Sequence, residues 1–231
     1  MPVNKLPLLL LDLLYPNRCD CCGAKIPYDA AVCGECKAAL DALRVENGAW
    51  SREYSGEQPW DGCAGAFRYK GAAKRGVLAI KDGYRGFLRY AAKELADAVR
   101  EMLGPAELDC VTWVPVTKQR RRIQGYAHAE LLGRALAAEL NVKPRGDLLI
   151  EQGGTLRQHD LPAEDRKRYA KLRFQHTGAD LTGQTVLLID DILTTGSTLR
   201  TCTALLKDMG AKRVFVAAAA YRLRGEPEEK Y

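Results

Sequence analysis

Three clusters of residues in this chain carry chemistry. The first is Asp190-Asp191 followed closely by Thr194-Thr195-Gly196-Ser197-Thr198. Ionised carboxylates only accept hydrogen bonds, so the acid pair suits sugar hydroxyls or a Mg²⁺ shell and not direct contact with phosphate. The loop behind it suits phosphate: its hydroxyls donate without bulk, and Gly196 lets the backbone approach closely or take a positive φ. The second cluster is Cys19, Cys22, Cys33 and Cys36. Two C-x-x-C turns at this separation make a tetrahedral four-thiolate site for Zn²⁺. Cys21 is a fifth candidate; the x₂ spacing favours Cys22. Four thiolates leave no open position for substrate, so such a zinc is structural, and its binding free energy (about 10–16 kcal/mol in small peptides) would fold a module with little core. The third cluster is cationic: Lys118, Arg120 and Arg121 in a basic loop, with Arg166 further along.

The elements that must position these groups follow from the surrounding pattern. Val186–Ile189 is a short apolar run of the kind that forms a strand buried on both faces, and it places the acids at the strand's carboxyl edge. Leu199–Met209 has helical spacing, so the hydroxyl loop opens a helix. Free N–H groups and the dipole at a helix start favour an anion, typically by about 0.3–1 kcal/mol. A phosphate at one end and a diol or metal at the other describe a site for a phosphorylated sugar. A Walker A loop is excluded, because no Gly-Lys-[Ser/Thr] follows.

The stretch from Val186 to Thr198 resembles the signature of type I phosphoribosyltransferases, which bind phosphoribosyl pyrophosphate (PRPP). The resemblance implies that Thr194, Thr195, Gly196, Ser197 and Thr198 hold the 5′-phosphate and that Asp190 and Asp191 meet the ribose hydroxyls. Val111–Val116 predicts a second strand, ending in Pro115-Val116-Thr117-Lys118 and leading through the basic loop to a helix over 126–140. In an α/β sheet the loops at the strands' carboxyl ends meet in one crevice. Val116 and Thr117 therefore join the expected PRPP-binding set, and the cations of the loop would neutralise a pyrophosphate with Mg²⁺ bridging to the acids.

The rest of the chain frames these sites. Residues 3–15 predict a Leu-rich helix and residues 37–44 a short helix after the cysteines. Residues 45–62 are a linker, 63–70 a strand, and 73–81 and 87–103 helices. The stretch 68–89 holds seven basic residues and one acid, either a solvated face or an anion-binding surface. Leu148–Ile150 is a short strand. The polar, basic segment 152–174, which contains Arg166 and Arg173, is expected to form a lid. Val214–Tyr221 closes a β-loop-α-β unit, and the tail beyond it is charged. The chain divides into 1–60, an N-terminal helix, Cys₄ module and linker, and 61–231, the transferase-like domain. The expected fold is α/β: a parallel sheet flanked by helices, with a small zinc module in front. Charge is uneven, with six Lys/Arg and eight Asp/Glu in 1–60 against 29 and 21 in 61–231, so the basic part is the part with the phosphate loop. No segment is long and apolar enough to span a bilayer, and Leu6–Leu14 lacks a cleavage site; a cytoplasmic location is expected.

The order of features resembles the ComF family of competence-associated proteins: cysteine knuckles, Val114-Pro115-Val116 with its Arg-rich loop, Gly125-Tyr126, Ala129-Glu130-Leu131-Leu132, then the signature. Gln124-Gly125-Tyr126-Ala127-His128 stands where that family usually reads Arg-Gly-Phe-Asn-Gln, and Tyr169 where Asn is usual. The resemblance implies a role in handling imported single-stranded DNA during natural transformation, with PRPP or a related phosphoribosyl ligand bound in the cleft. Two alternatives stand beside it. One is an active, Mg²⁺-dependent phosphoribosyltransferase acting on a base, with Lys118, Arg120, Arg121 and Arg166 stabilising the departing pyrophosphate. The other is a zinc-dependent scaffold for the proteins of DNA uptake. For DNA contact, Tyr84, Tyr90, Tyr126 and Tyr169 are candidate stacking residues.

Overall fold

The computed structural model describes residues 16–45, 58–104, 107–124, 127–152 and 173–222. The predicted helix over 3–15, most of the linker, the lid with Arg166 and Tyr169, Tyr126 and the charged tail lie outside the described residues.

A five-stranded parallel sheet is the centre of the molecule. Its strands are β1 (Gly62–Arg68), β2 (Cys110–Trp113), β3 (Lys143–Pro144), β6 (Thr185–Leu193) and β7 (Arg213–Tyr221), in the spatial order β1-β7-β6-β2-β3. The apolar runs dictate this burial. Val186–Ile189 are fully buried, as are Val214 and Val216, because helices cover both faces. Alternation divides the strands between two cores. Val111, Trp113, Leu187, Ile189 and Phe215 face one side; Cys110, Val186, Leu188, Val214 and Val216 face the other.

The first core is filled by α2 (Gly71–Lys81), α3 (Gly86–Leu103) and α5 (His128–Leu140). In α3 the predicted apolar stripe is the buried one, with Phe87, Leu88, Ala91, Leu95 and Val99 against the sheet. The second core is covered by α6 (Ser197–Asp208), through Leu199, Cys202 and Leu206. A separate antiparallel pair, β4 (Leu149–Glu151) and β5 (Phe174–His176), brackets the lid segment.

The cysteine segment packs onto this body. Cys19, Cys21, Ile26, Cys36 and Leu40 belong to the same buried cluster as Phe67, Ala72 and Phe87. Its helix α1 (Gly34–Asp41) starts three residues earlier than the spacing predicts, because the Cys33 sulfur accepts the Cys36 N–H at 3.3 Å and caps it.

Two local expectations are corrected. The basic loop after β2 folds as a short helix, α4 (Lys118–Gln124). The acid pair does not sit beyond the strand tip. β6 runs on to Leu193 because β7 keeps pairing with it, Asp190 opposite Ala218 and Ile192 opposite Ala220. On its other side β2 stops at Trp113, opposite Ile189. The acids are thus held by a strand on one side and face open space on the other.

Candidate functional site

That open space is the crevice expected of an α/β sheet. β6 connects through α6 to β7 on one side, and β2 connects through α4 and α5 to β3 on the other. The connections diverge between β6 and β2, where a crevice forms at the carboxyl ends of parallel strands. A cavity of about 260 Å³ lies there, lined by Val114, Pro115, Val116, Asp190, Asp191, Thr198, Lys81, His128, Ala129 and Arg173.

The acid pair forms its floor. Asp190 Oδ1 accepts the Asp191 N–H at 2.9 Å, and Asp191 Oδ1 accepts the Ile192 N–H at 2.8 Å, which fixes both rotamers. Burial, and then the neighbouring Asp191 charge, hold the Asp190 carboxyl well above the usual carboxylate range. Such a pair gains from any cation or hydroxyl donor that enters. One cation is already there: Lys81 Nζ lies 3.4 Å from Asp191 Oδ2.

The phosphate end is built from the chain that follows. Gly196 takes φ 71° and caps α6 with no side-chain hydrogen bond of its own. Ser197 and Thr198 are the first residues of the helix, and Thr195 Oγ1 accepts the Ser197 N–H at 3.4 Å. The loop is braced from behind. Arg200 donates to the Thr195 carbonyl at 2.9 Å and to Gln58 Oε1 at 2.8 Å. The Trp60 ring is so close that a Cβ at Gly196 would meet it at 3.0 Å. Gln58 and Trp60 come from the end of the expected linker, which is therefore a structural part of the phosphate loop. A Trp in a mixed-composition stretch gave no signal of that.

The opposite wall differs from expectation in its cations. Val116 lines the cavity, and the Thr117 N–H donates to Glu151 Oε2 at 2.6 Å. Glu151 is nearly buried, and its other oxygen accepts from Arg173 Nε at 2.5 Å. One carboxylate thus ties the loop after β2 to a cation of the cavity. Lys118 is exposed at the start of α4. Arg121 is paired with the buried Glu130, which Arg134 also contacts at 3.0 Å. Arg120 lies in α4, and Arg166 lies outside the described residues. Among the described residues, Lys81 and Arg173, which the sequence presents only as members of basic stretches, line the cavity with the acids, Lys81 paired with Asp191 and Arg173 with Glu151. A second cavity of about 780 Å³ adjoins the first across Pro115 and Val116, and Trp113, Lys118, Arg121, Asp147, Ile150 and Gln152 are among its walls.

The four expected metal ligands also come together. The sulfurs of Cys19, Cys22, Cys33 and Cys36 all lie within 4.8 Å of one another. The donor set fits zinc: four thiols and no competing carboxylate among them. Burial acts upward on the Cys19 thiol, but backbone hydrogen bonds from Cys33, Cys21 and Cys22 outweigh it and draw the thiol down to about 7. Cys21 is outside the cluster and is buried against the body; the sulfur that groups with Cys19, Cys33 and Cys36 is that of Cys22.

Comparison with known proteins gives two family matches. A double zinc ribbon domain matches residues 10–47, and a phosphoribosyl transferase domain matches residues 129–231. The chain is similar to Competence protein F of Haemophilus influenzae, 26% identical over 204 residues that cover 86% of this chain and 82% of that protein. It is similar to adenine phosphoribosyltransferase of Bordetella avium, 37% identical over 40% of this chain and 50% of that enzyme. A shorter match, 41% identical over 56 residues, joins it to the ribose-phosphate pyrophosphokinase of Pyrococcus furiosus, covering 23% of this chain and 20% of that protein. These matches bear out the resemblance drawn from the sequence: a zinc ribbon in front, a phosphoribosyl transferase domain behind, and similarity to a competence protein over most of the chain.

Proposed function

We propose that this homologue of Competence protein F binds PRPP with Mg²⁺ in the cleft between β6 and β2, and that it acts in handling single-stranded DNA during natural transformation. One observation carries the ligand: two adjacent carboxylates and Thr198 line one side of a cavity of about 260 Å³, and Thr198 stands in the first turn of a helix entered through a hydroxyl loop with a left-handed glycine. The N–H groups of Ser197 and Thr198 and the hydroxyls of Thr194, Thr195, Ser197 and Thr198 hold the 5′-phosphate. Asp190 and Asp191 accept from the ribose hydroxyls, and the loop Val116-Thr117-Lys118 faces the pyrophosphate. Mg²⁺, when bound, would bridge pyrophosphate oxygens and neutralise charge there.

The Cys₄ cluster holds one structural Zn²⁺ in this reading, and the zinc folds the N-terminal module. The DNA role follows from the similarity to Competence protein F and from the basic surplus of 61–231. Of the tyrosines considered for stacking, Tyr84 is exposed, whereas Tyr90 stacks on Phe67 with centroids 6.1 Å apart and belongs to the core boundary. None of the helices of the described residues is long and apolar enough to cross a membrane.

The larger cavity favours a second reading, transfer of the phosphoribosyl group to a nitrogen nucleophile, because it offers space for an acceptor beside the sugar. Displacement at C1 would develop negative charge on the leaving pyrophosphate, and Lys118 and Arg173 would offset it.

Calorimetric titration of the zinc-loaded protein with Mg²⁺ and PRPP tests the binding reading, with Asp190→Asn/Asp191→Asn beside it. Micromolar binding by the wild type and loss of about a hundredfold or more in the variant is the expected result, since two charge-assisted acceptors are removed. Equal binding by both would place the ligand elsewhere. Pyrophosphate release with a panel of bases then decides between binding and turnover.

A further inference from the structure

Lys81 lies between the two matched segments, yet it reaches into the cleft. Its side chain is 37% exposed and that of Asp191 27%, so their pair is half withdrawn from water. Lys81 ends α2, and what fixes that end is the first cysteine knuckle. Before Lys81, Arg75 Nε donates to the Cys21 carbonyl at 2.5 Å. After it, Asp20 Oδ2 accepts the Phe87 N–H at 2.6 Å, at the start of α3. The seat at that second point is tight: a Cβ on Gly86 would lie 3.0 Å from Asp20 Oδ2 and 3.1 Å from the Ala31 carbonyl. Asp20 and Cys21 are the two residues between Cys19 and Cys22. The helix end and turn that carry Lys81 are therefore pinned on both sides by one knuckle. Between the pins the chain is short and internally bonded, with Gly83 N–H to Ile80 O at 3.1 Å and Tyr84 N–H to Ala79 O at 3.0 Å.

We propose that Lys81 is a residue of the phosphoribosyl site, the counter-ion of Asp191, and that the Cys19–Cys22 knuckle is its positioning device. This rests on the PRPP reading above. Two adjacent carboxylates in a half-buried cleft repel each other, and an ammonium on one of them keeps the pair ready to accept from a ribose diol. An exposed ion pair would contribute little. This one gains from partial burial and from a helix end that cannot drift. The Cys₄ cluster would then do more than fold its own module. It would set the geometry of a cleft built mainly by another part of the chain, and a chain with a loosened knuckle would bind PRPP less well with its signature intact.

The test uses three full-length, zinc-loaded variants: Lys81→Gln, Asp20→Asn/Arg75→Gln, and all three changes together. Each is titrated with Mg²⁺ and PRPP by calorimetry, and zinc content and far-ultraviolet circular dichroism are measured alongside. Lys81→Gln is expected to weaken binding about three- to tenfold. The knuckle variant is expected to lose a similar factor while keeping its zinc. The triple variant should be no weaker than Lys81→Gln, because the knuckle acts through that side chain. Wild-type affinity in Lys81→Gln, or a triple variant whose loss is the product of the other two, overturns the proposal. Where the double knuckle change costs zinc or fold, Asp20→Asn alone, which preserves shape, takes its place in the same cycle. A wild type that binds no PRPP at all defeats the parent reading, and this one with it.

Discussion

The two walls of the cleft are made in different ways. The wall of Asp190, Asp191 and the hydroxyl loop is one continuous piece of chain, strand then loop then helix. Most of its groups are placed by local geometry, a left-handed glycine and a helix start, with β7, Gln58 and Trp60 bracing it from behind. The facing wall is assembled from distant segments. Lys81 comes from the end of α2, Val116 and Thr117 from the loop after β2, and Arg173 from the edge of β5, with Glu151 joining the last two. A contiguous wall can be damaged by one residue and is rigid by construction. An assembled wall depends on tertiary packing, so its parts can be lost one at a time.

This difference can be attacked directly. Among single substitutions the largest effect is expected at Gly196. Gly196→Val forces a β-branched residue to φ 71° and drives a side chain toward the Trp60 ring. A cost of roughly 2 kcal/mol or more at the loop should weaken PRPP by about thirtyfold, measured by calorimetry. Glu151→Gln comes next. It removes the charge that Arg173 and the Thr117 N–H share, and should lower thermal stability by roughly 2 kcal/mol and affinity by about fivefold. If affinity falls without any loss of stability, Glu151 acts on the ligand and not on the assembly of the wall.

The pH response sharpens the contrast further. The Asp190 carboxyl is held above the ordinary range by burial, then by Asp191, with Lys81 pulling the other way. Arg173 and His128 also face this cavity. A protonated carboxyl is a weaker acceptor than a carboxylate and carries no charge to assist the bond, so losing the proton strengthens its grip on a diol. PRPP affinity should therefore rise with pH, by up to about tenfold per unit, and level off once Asp190 is ionised in the free protein. The smallest effect is expected at Arg121→Gln. Arg121 is turned to Glu130, so PRPP affinity should change by less than about twofold. A large loss there would mean that Arg121 leaves Glu130 for the pyrophosphate.

The contiguous wall was legible in the sequence because its chemistry and its secondary structure share one stretch. The same holds for the four cysteines, whose spacing alone puts them on two facing turns, and for the apolar stripe of α3. The assembled wall was legible only in the loop of Val116 and Thr117, and its charged groups were not. Lys81 is one of seven basic residues in its stretch, and nothing local distinguishes it from Lys74 or Arg85. Arg173 hides in a basic segment, and Glu151 is a carboxylate with no motif around it. Arg120 and Arg121 looked like the stronger cations because three arginines follow in a row. The register of α4 instead turns Arg121 toward Glu130. The extent of β6 was also missed, since an Asp-Asp pair looks like a strand end until β7 is seen to continue beside it.

Phosphorus NMR of Mg²⁺·PRPP titrated with the protein tests the central claim most directly, that the cleft holds the whole phosphoribosyl ligand between its two walls. The account predicts that the 5′-phosphate resonance and both pyrophosphate resonances shift and broaden together, and that Gly196→Val abolishes the change at the 5′-phosphate first. Perturbation of the pyrophosphate resonances alone, unchanged in Gly196→Val and removed by moderate salt, would contradict it. The basic surface would then be binding a polyanion, and the acid pair and hydroxyl loop would not be its site.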